Sequence, residues 1–261
     1  MRAMTRTASG LDPAALAAAV EERELLRLLG MPRSRPLDGE LRAAVEAARA
    51  WYAVHGRPYV ALLRVGVLGA PVDADVMLAD GTVLRSAGLA RSLREASGEA
   101  VLVLAASAGR EVAAEIARAW AGDRPDEAYF LDRFAAAVAE ALVLKASGDE
   151  CRASSARGET LLPPFSPGCS DLAIGEQHTL MALLGGEPRA EQRVGLGPIE
   201  LLPSGALDPP HSLLAVAGVT RHARAATTPE LLCRSCALAL CEYRRASARA
   251  TARAAEDWVR A

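Results

Sequence analysis

Aromatic residues are scarce in this chain: Phe, Trp and Tyr together supply only 4% of it. A core built without them must be filled by Ala, Leu and Val, and the hydrophobic fraction of 51% argues against general disorder. Lysine is nearly absent, Lys145 being the only one, so arginine carries the positive charge. The formal net charge of −2 leaves no global field to attract nucleic acid or an anionic membrane. No uncharged apolar run is long enough for a transmembrane helix, which takes about 20 residues. No apolar stretch of signal-peptide type precedes Glu21 and Glu22, so a cytoplasmic protein is expected. Cysteine is sparse too. Its five copies are an odd number for a disulfide framework, and three of them crowd into residues 233–241. In a reducing compartment that clustering favours metal binding or redox chemistry.

The 261 residues suffice for one large domain or two small ones. Residues 12–30 read as one helix, with Asp12 as cap, Pro13 in the first turn and Gly30 at the end. A second helix is expected over 38–55, a strand over 58–69, and a hairpin over 74–85 around Asp80-Gly81. A short helix (86–96) leads to the clearest strand, 100–106, then a small-residue turn and helices over 110–121 and 125–147. Residues 148–164, polar and then Pro-rich, read as a linker. A helix over 174–184 and strands over 197–203 and 213–220 follow. The alternation is too irregular for a doubly wound sheet, so the expected class is α+β, a mixed or antiparallel twisted sheet flanked by helices. Residues 1–227 form the main unit and 228–261 a cysteine-rich helical tail.

Cys233-x2-Cys236-x4-Cys241 is the strongest chemical motif. Thiolates at this spacing can converge on zinc or an iron–sulfur cluster, with Cys151, Cys169, His222 or an exogenous group in the fourth position. The alternative is that they are small apolar residues on one helix. The second feature is Ser166-Pro167-Gly168-Cys169-Ser170-Asp171, where Pro and Gly shape a tight loop before a helix. Asp171 is a candidate helix cap or binding group. The turn 105–109 could cradle a ligand at a helix N-terminus, although its small residues equally permit close packing. Gly195-x-Gly197 fails as a dinucleotide fingerprint, because Glu200 follows and no βαβ unit surrounds it. The histidines 55, 178, 211 and 222 show no metal-ligand spacing.

Segment order adds a resemblance. The leucine-rich 24–30, the strand-and-turn 101–109 and the helix containing Glu140 occur in sequence. Phe165-Ser-Pro-Gly-Cys169 follows, with Glu176-Gln177 after it, then 202–213 and the C-x2-C…C-x-Y-R tail. In this order they resemble the activation domain of cobalamin-dependent methionine synthase and its stand-alone relatives. The resemblance implies an accessory protein that reactivates or methylates a corrinoid protein using S-adenosylmethionine. Cobalamin would be reached through a partner, a corrinoid protein or truncated methionine synthase, with flavodoxin or ferredoxin supplying an electron. Carried over by position, Ser166, Pro167, Gly168 and Cys169 would line the S-adenosylmethionine turn, and Glu140 would meet the ligand's polar end. Two positions depart from the family. Pro164 stands where it has an arginine, and Cys169 where it has an aromatic; Arg157 could replace that arginine if the linker folds back. A separate reading is a non-enzymatic module for metal, iron–sulfur or corrinoid handling, carried by Cys233, Cys236 and Cys241.

Overall fold

The computed structural model describes residues 6–7, 11–32, 34–168 and 171–222. A two-residue strand, β1 (Arg6–Thr7), is followed by α1 (Pro13–Ala19), which Asp12 caps by accepting the Ala14 N–H at 2.9 Å. The single helix expected over 12–30 is in fact two. Val20 and Glu21 are extended, and α2 (Glu22–Leu28) restarts beyond them. Arg49 makes this break tolerable. From α3 (Gly39–His55) its guanidinium donates to the carbonyls of Ala17 and Val20, which the interrupted helix leaves without amide partners.

Next come β2 (Tyr59–Gly66) and the hairpin of β3 (Asp75–Met77) and β4 (Val83–Arg85), turned at Asp80-Gly81 as its turn chemistry predicts. Ser86 caps α4 (Ala87–Glu95), its hydroxyl accepting the Leu89 N–H at 3.1 Å. The central strand β5 (Ala100–Ser107) is buried along its whole length. It ends at Gly109, whose φ of +110° feeds α5 (Arg110–Ala121). A Cβ there would lie 2.6 Å from the Arg57 carbonyl oxygen, so the small residues of this turn serve close packing.

Residues 148–164 are not a linker. Helix α6 (Pro125–Ser155) runs through the first half, and β6 (Thr160–Phe165) occupies the second. Gly148 does not end the helix, because Asp149 pairs with Lys145 and Arg152 across it while Glu150 and Ser154 are buried. Pro163 and Pro164 fit because β6 is an edge strand, where a missing N–H breaks few ladder bonds.

After α7 (Glu176–Leu183) a small sheet forms from β7 (Glu187–Pro188), β8 (Val194–Leu196), β9 (Ile199–Leu201) and β10 (Leu207–Asp208). Gly197 lies in the β8–β9 hairpin turn, which disposes of any nucleotide-binding role for its motif. Strand β11 (Ser212–Thr220) then returns to the central sheet, whose order is β1-β2-β5-β11-β6 with every pair antiparallel.

The sheet has two covered faces. Val60, Leu104, Ala106 and Ala215 pack under the α1, α2, α3 and α6 layer. Ala61, Leu63, Val103, Ala105 and Val216 pack under α4, α7 and the hairpins. This period-two division gives an α+β fold with an antiparallel sheet between helical layers. Among the described residues, no helix is long and apolar enough to cross a membrane.

Candidate functional site

Strand β6 delivers the turn of Ser166, Pro167 and Gly168 to the edge of the sheet, on the α4 and α7 side. Phe165 packs into that core. Gly168 has φ +83°, a conformation that glycine adopts at little cost, and its N–H donates to the Leu172 carbonyl at 2.9 Å. Cys169 lies outside the described residues. Asp171 is a cap, but not of its own helix. Its carboxylate accepts the Gly88 N–H and the Ser86 hydroxyl (3.3 Å), completing the N-terminus of α4. The turn is thereby tied to a second helix.

Beyond the turn, Ile174 reaches back to Gly168: a Cβ placed there would lie 3.3 Å from its Cδ1. The Gln177 N–H donates to the Ile174 carbonyl at 3.1 Å as α7 begins. Here two acceptors stand out, Glu176 Oε2 and Gln177 Oε1. Both are buried and without a hydrogen-bond partner, and Gln177 is only 7% exposed. Unsatisfied buried oxygens are costly, of the order of 1–3 kcal/mol each, and call for an explanation.

Glu140 is elsewhere. From α6 it pairs with the buried Arg27 of α2, whose Nε also lies 3.0 Å from Glu24. Ala19, Val20, Glu21, Ala137, Ala141 and Leu144 line a shallow groove beside it. Glu140 and the turn therefore lie on opposite faces of the central sheet, and the structure does not bring them together. Arg157 does not fold back toward the turn either. Its guanidinium is held by Glu159 (3.1 Å) and Glu150 (3.3 Å), and hydrogen bonds to these two carboxylates hold its pKa above the ordinary value. Position 164, where the resembled family carries an arginine, is built into β6 opposite Ala217.

Cys233, Cys236 and Cys241 lie outside the described residues. Among the described residues no group of three or more His, Cys, Asp and Glu converges as a metal site, and Cys151 is a free thiol half-buried against the small cluster of Ala100, Leu102, Leu161 and Val219.

Two charged clusters escaped the sequence reading. His211 is buried with its Nε2 2.9 Å from Asp132 Oδ1, joining the start of β11 to α6. That hydrogen bond, and then one from Arg133, holds the Asp132 carboxyl below its usual range against the opposing effect of burial. Glu200 gathers Arg110, Arg189 and Arg193, and the bond from Arg193 leads in lowering its pKa. The partners of the first pair stand 79 residues apart, so no spacing could have announced them.

Comparison with known structures bears on this site. The chain shares its fold with a MetH reactivation domain bound to AdoHcy, at a TM-score of 0.60 over 87% of this chain and 81% of that one. Sequence identity between the two is 11%. No protein-family model matches the sequence, and no curated protein matches it either. The resemblance read from segment order is thus carried by the fold.

Proposed function

We propose that this chain is an accessory protein for reductive reactivation of a corrinoid (B12) protein, and that it holds S-adenosylmethionine between the turn 166–169 and the start of α7. The fold shared with a MetH reactivation domain bound to AdoHcy is the observation that carries this reading. The residues present fit the donor end of such a ligand. Glu176 Oε2 and Gln177 Oε1 are acceptors lacking protein donors, and an ammonium or amino group would satisfy them. Pro167 and Gly168 shape the turn that Ile174 approaches just before α7, and Asp171 ties the residues after that turn to α4. S-adenosylmethionine, when bound, supplies an electrophilic sulfonium methyl group. The chain's contribution is positioning, presenting that ligand to a corrinoid partner such as a methionine synthase lacking its own activation region. Flavodoxin or ferredoxin would serve as the electron donor. Calorimetric titration of the folded full chain with S-adenosylmethionine and S-adenosylhomocysteine tests the proposal. Saturable binding of either is expected; a folded protein that binds neither refutes it.

A second reading is favoured by the commitment of Arg157 to Glu150 and Glu159, so that Arg157 does not stand in for the arginine that the resembled family carries at position 164. In that reading Cys233, Cys236 and Cys241 of the tail 228–261 bind zinc or an iron–sulfur cluster, and the fold handles a corrinoid without methyl transfer. Anaerobic purification with metal analysis decides it. Replacing Cys236→Ala should then lower metal occupancy.

A further inference from the structure

The segment that carries the turn bears charge of one sign only. Residues 158–177 contain no Arg, Lys or His, and the carboxylates that follow β6 are Asp171 and Glu176. Neighbouring elements carry cations, but these are committed elsewhere. Arg157 is held by Glu150 and Glu159, and Arg85 lies 3.5 Å from Asp75. Arg94 of α4 donates to the carbonyls of Pro71 and Asp73. On the small sheet against which α7 packs, Arg189 and Arg193 converge on Glu200. Arg91 of α4 and His178 of α7 are exposed.

Several amide donors beside the turn are engaged as well. The Gly168 N–H donates to the Leu172 carbonyl at 2.9 Å. The N–H groups of Glu176, Gln177 and His178 donate to the carbonyls of Ala173, Ile174 and Gly175 at 3.0, 3.1 and 3.2 Å. The first turn of α7 therefore has these amides occupied, where a helix start commonly offers them to an anion. Acceptors are what the site presents. Glu176 Oε2 and Gln177 Oε1 are buried without a hydrogen-bond partner, and the Gln177 side chain belongs to a residue only 7% exposed. An ammonium brought here meets two acceptors and an opposite charge. A carboxylate meets the like charge of Glu176 and loses its water without a cation in return. Position 164, which carries an arginine in the resembled family, is a proline paired opposite Ala217.

We propose that this site selects its ligand by positive charge through the Glu176 carboxylate, and that its ligand class is an adenosyl sulfonium with an ammonium group and no carboxylate. The decarboxylated form of S-adenosylmethionine is the simplest member. The inference rests on the reading that the turn 166–169 and the start of α7 hold a ligand of the S-adenosylmethionine type. Ligand charge then sets the order of affinity: the decarboxylated form is a dication, S-adenosylmethionine a monocation overall, and S-adenosylhomocysteine neutral overall. Calorimetric titration of the full chain with all three at neutral pH tests this. The decarboxylated form should bind about tenfold more tightly than S-adenosylmethionine, and S-adenosylmethionine about tenfold more tightly than S-adenosylhomocysteine. Glu176→Gln keeps the size of the side chain and removes its charge, so it should bring the first two ligands to within about twofold of each other. Circular dichroism reports whether that variant is folded, and the wild-type comparison stands without it. Equal or tighter binding of S-adenosylmethionine relative to its decarboxylated form overturns the inference and leaves the accessory function standing. A preference that survives Glu176→Gln undiminished also overturns it, since the selecting charge would lie elsewhere. A folded chain that binds none of the three overturns both readings.

Discussion

Gln177 poses a question that packing alone does not answer. It shares the buried stripe of α7 with Leu180 and Met181, yet its amide oxygen has no donor. If the residue served only to pack, an apolar replacement of similar size would relieve an unsatisfied acceptor and stabilise the fold, by about 1 kcal/mol or more. If it receives a ligand donor, the same change would also remove that contact. Gln177→Leu is therefore expected to raise the unfolding midpoint while weakening S-adenosylmethionine binding by about tenfold, measured by thermal denaturation and calorimetry on the same samples. A rise in stability with unchanged affinity would leave Gln177 a packing residue. Asp132 yields a second prediction. Its carboxyl is held low mainly by the bond from His211, so its contribution to stability is present above the ordinary carboxylate pKa of about 4 and is lost as the pH falls through the depressed value. Asp132→Asn should cost about 2 kcal/mol at neutral pH and flatten the acid limb of the stability profile, as read by denaturant titration from pH 7 down to about 2. Neither residue could be singled out from sequence as more than a motif neighbour. A lone Gln and an Asp–His pair far apart in the chain carry no periodic signal.

Elements were more legible, because most announce themselves by local chemistry. Asp12, Ser86 and the Asp80-Gly81 turn all do in the structure what their types dictate. The misreadings have a common physical source: partners distant in sequence. The break at Val20 is stabilised by Arg49, and the segment 148–164 is structured by ion pairs across Gly148 and by an edge-strand position that accepts two prolines. Asp171 shows the same effect, since it caps α4 rather than the helix that follows it. That arrangement makes a prediction for the element. Asp171→Ala removes the carboxylate from the exposed backbone N–H of Gly88 and should destabilise the protein by about 1–2 kcal/mol. Asp171→Asn, which retains an acceptor, should cost less than half of that. Because the same side chain ties the turn of Ser166, Pro167 and Gly168 to α4, S-adenosylmethionine affinity should fall in the same order, Ala below Asn below wild type. Equal affinities in all three would show that the turn holds its shape without this tether.

At the scale of the molecule, the α+β class was readable because both sheet faces are covered, which makes β5 and β11 continuous apolar runs bounded by turn residues. Of the residues that the sequence singled out for a ligand, Ser166, Pro167 and Gly168 follow β6 on the α7 side, while Glu140 stands in the opposite layer, paired with Arg27. A ligand bound only by the folded chain must stabilise the whole of it by mass action, by about 2.7 kcal/mol at one hundred times its dissociation constant. For a chain of this length each kcal/mol is worth roughly 2–4 °C. Saturating S-adenosylmethionine should therefore raise the unfolding midpoint by about 5–10 °C. The rise should be reduced by Gln177→Leu and left unchanged by Glu140→Gln, since Glu140 lies across the sheet from the turn. If Glu140→Gln abolished the rise while Gln177→Leu did not, the ligand would belong on the helical face, beside Arg27 and the groove lined by Ala19 and Leu144, and the turn would be a structural corner.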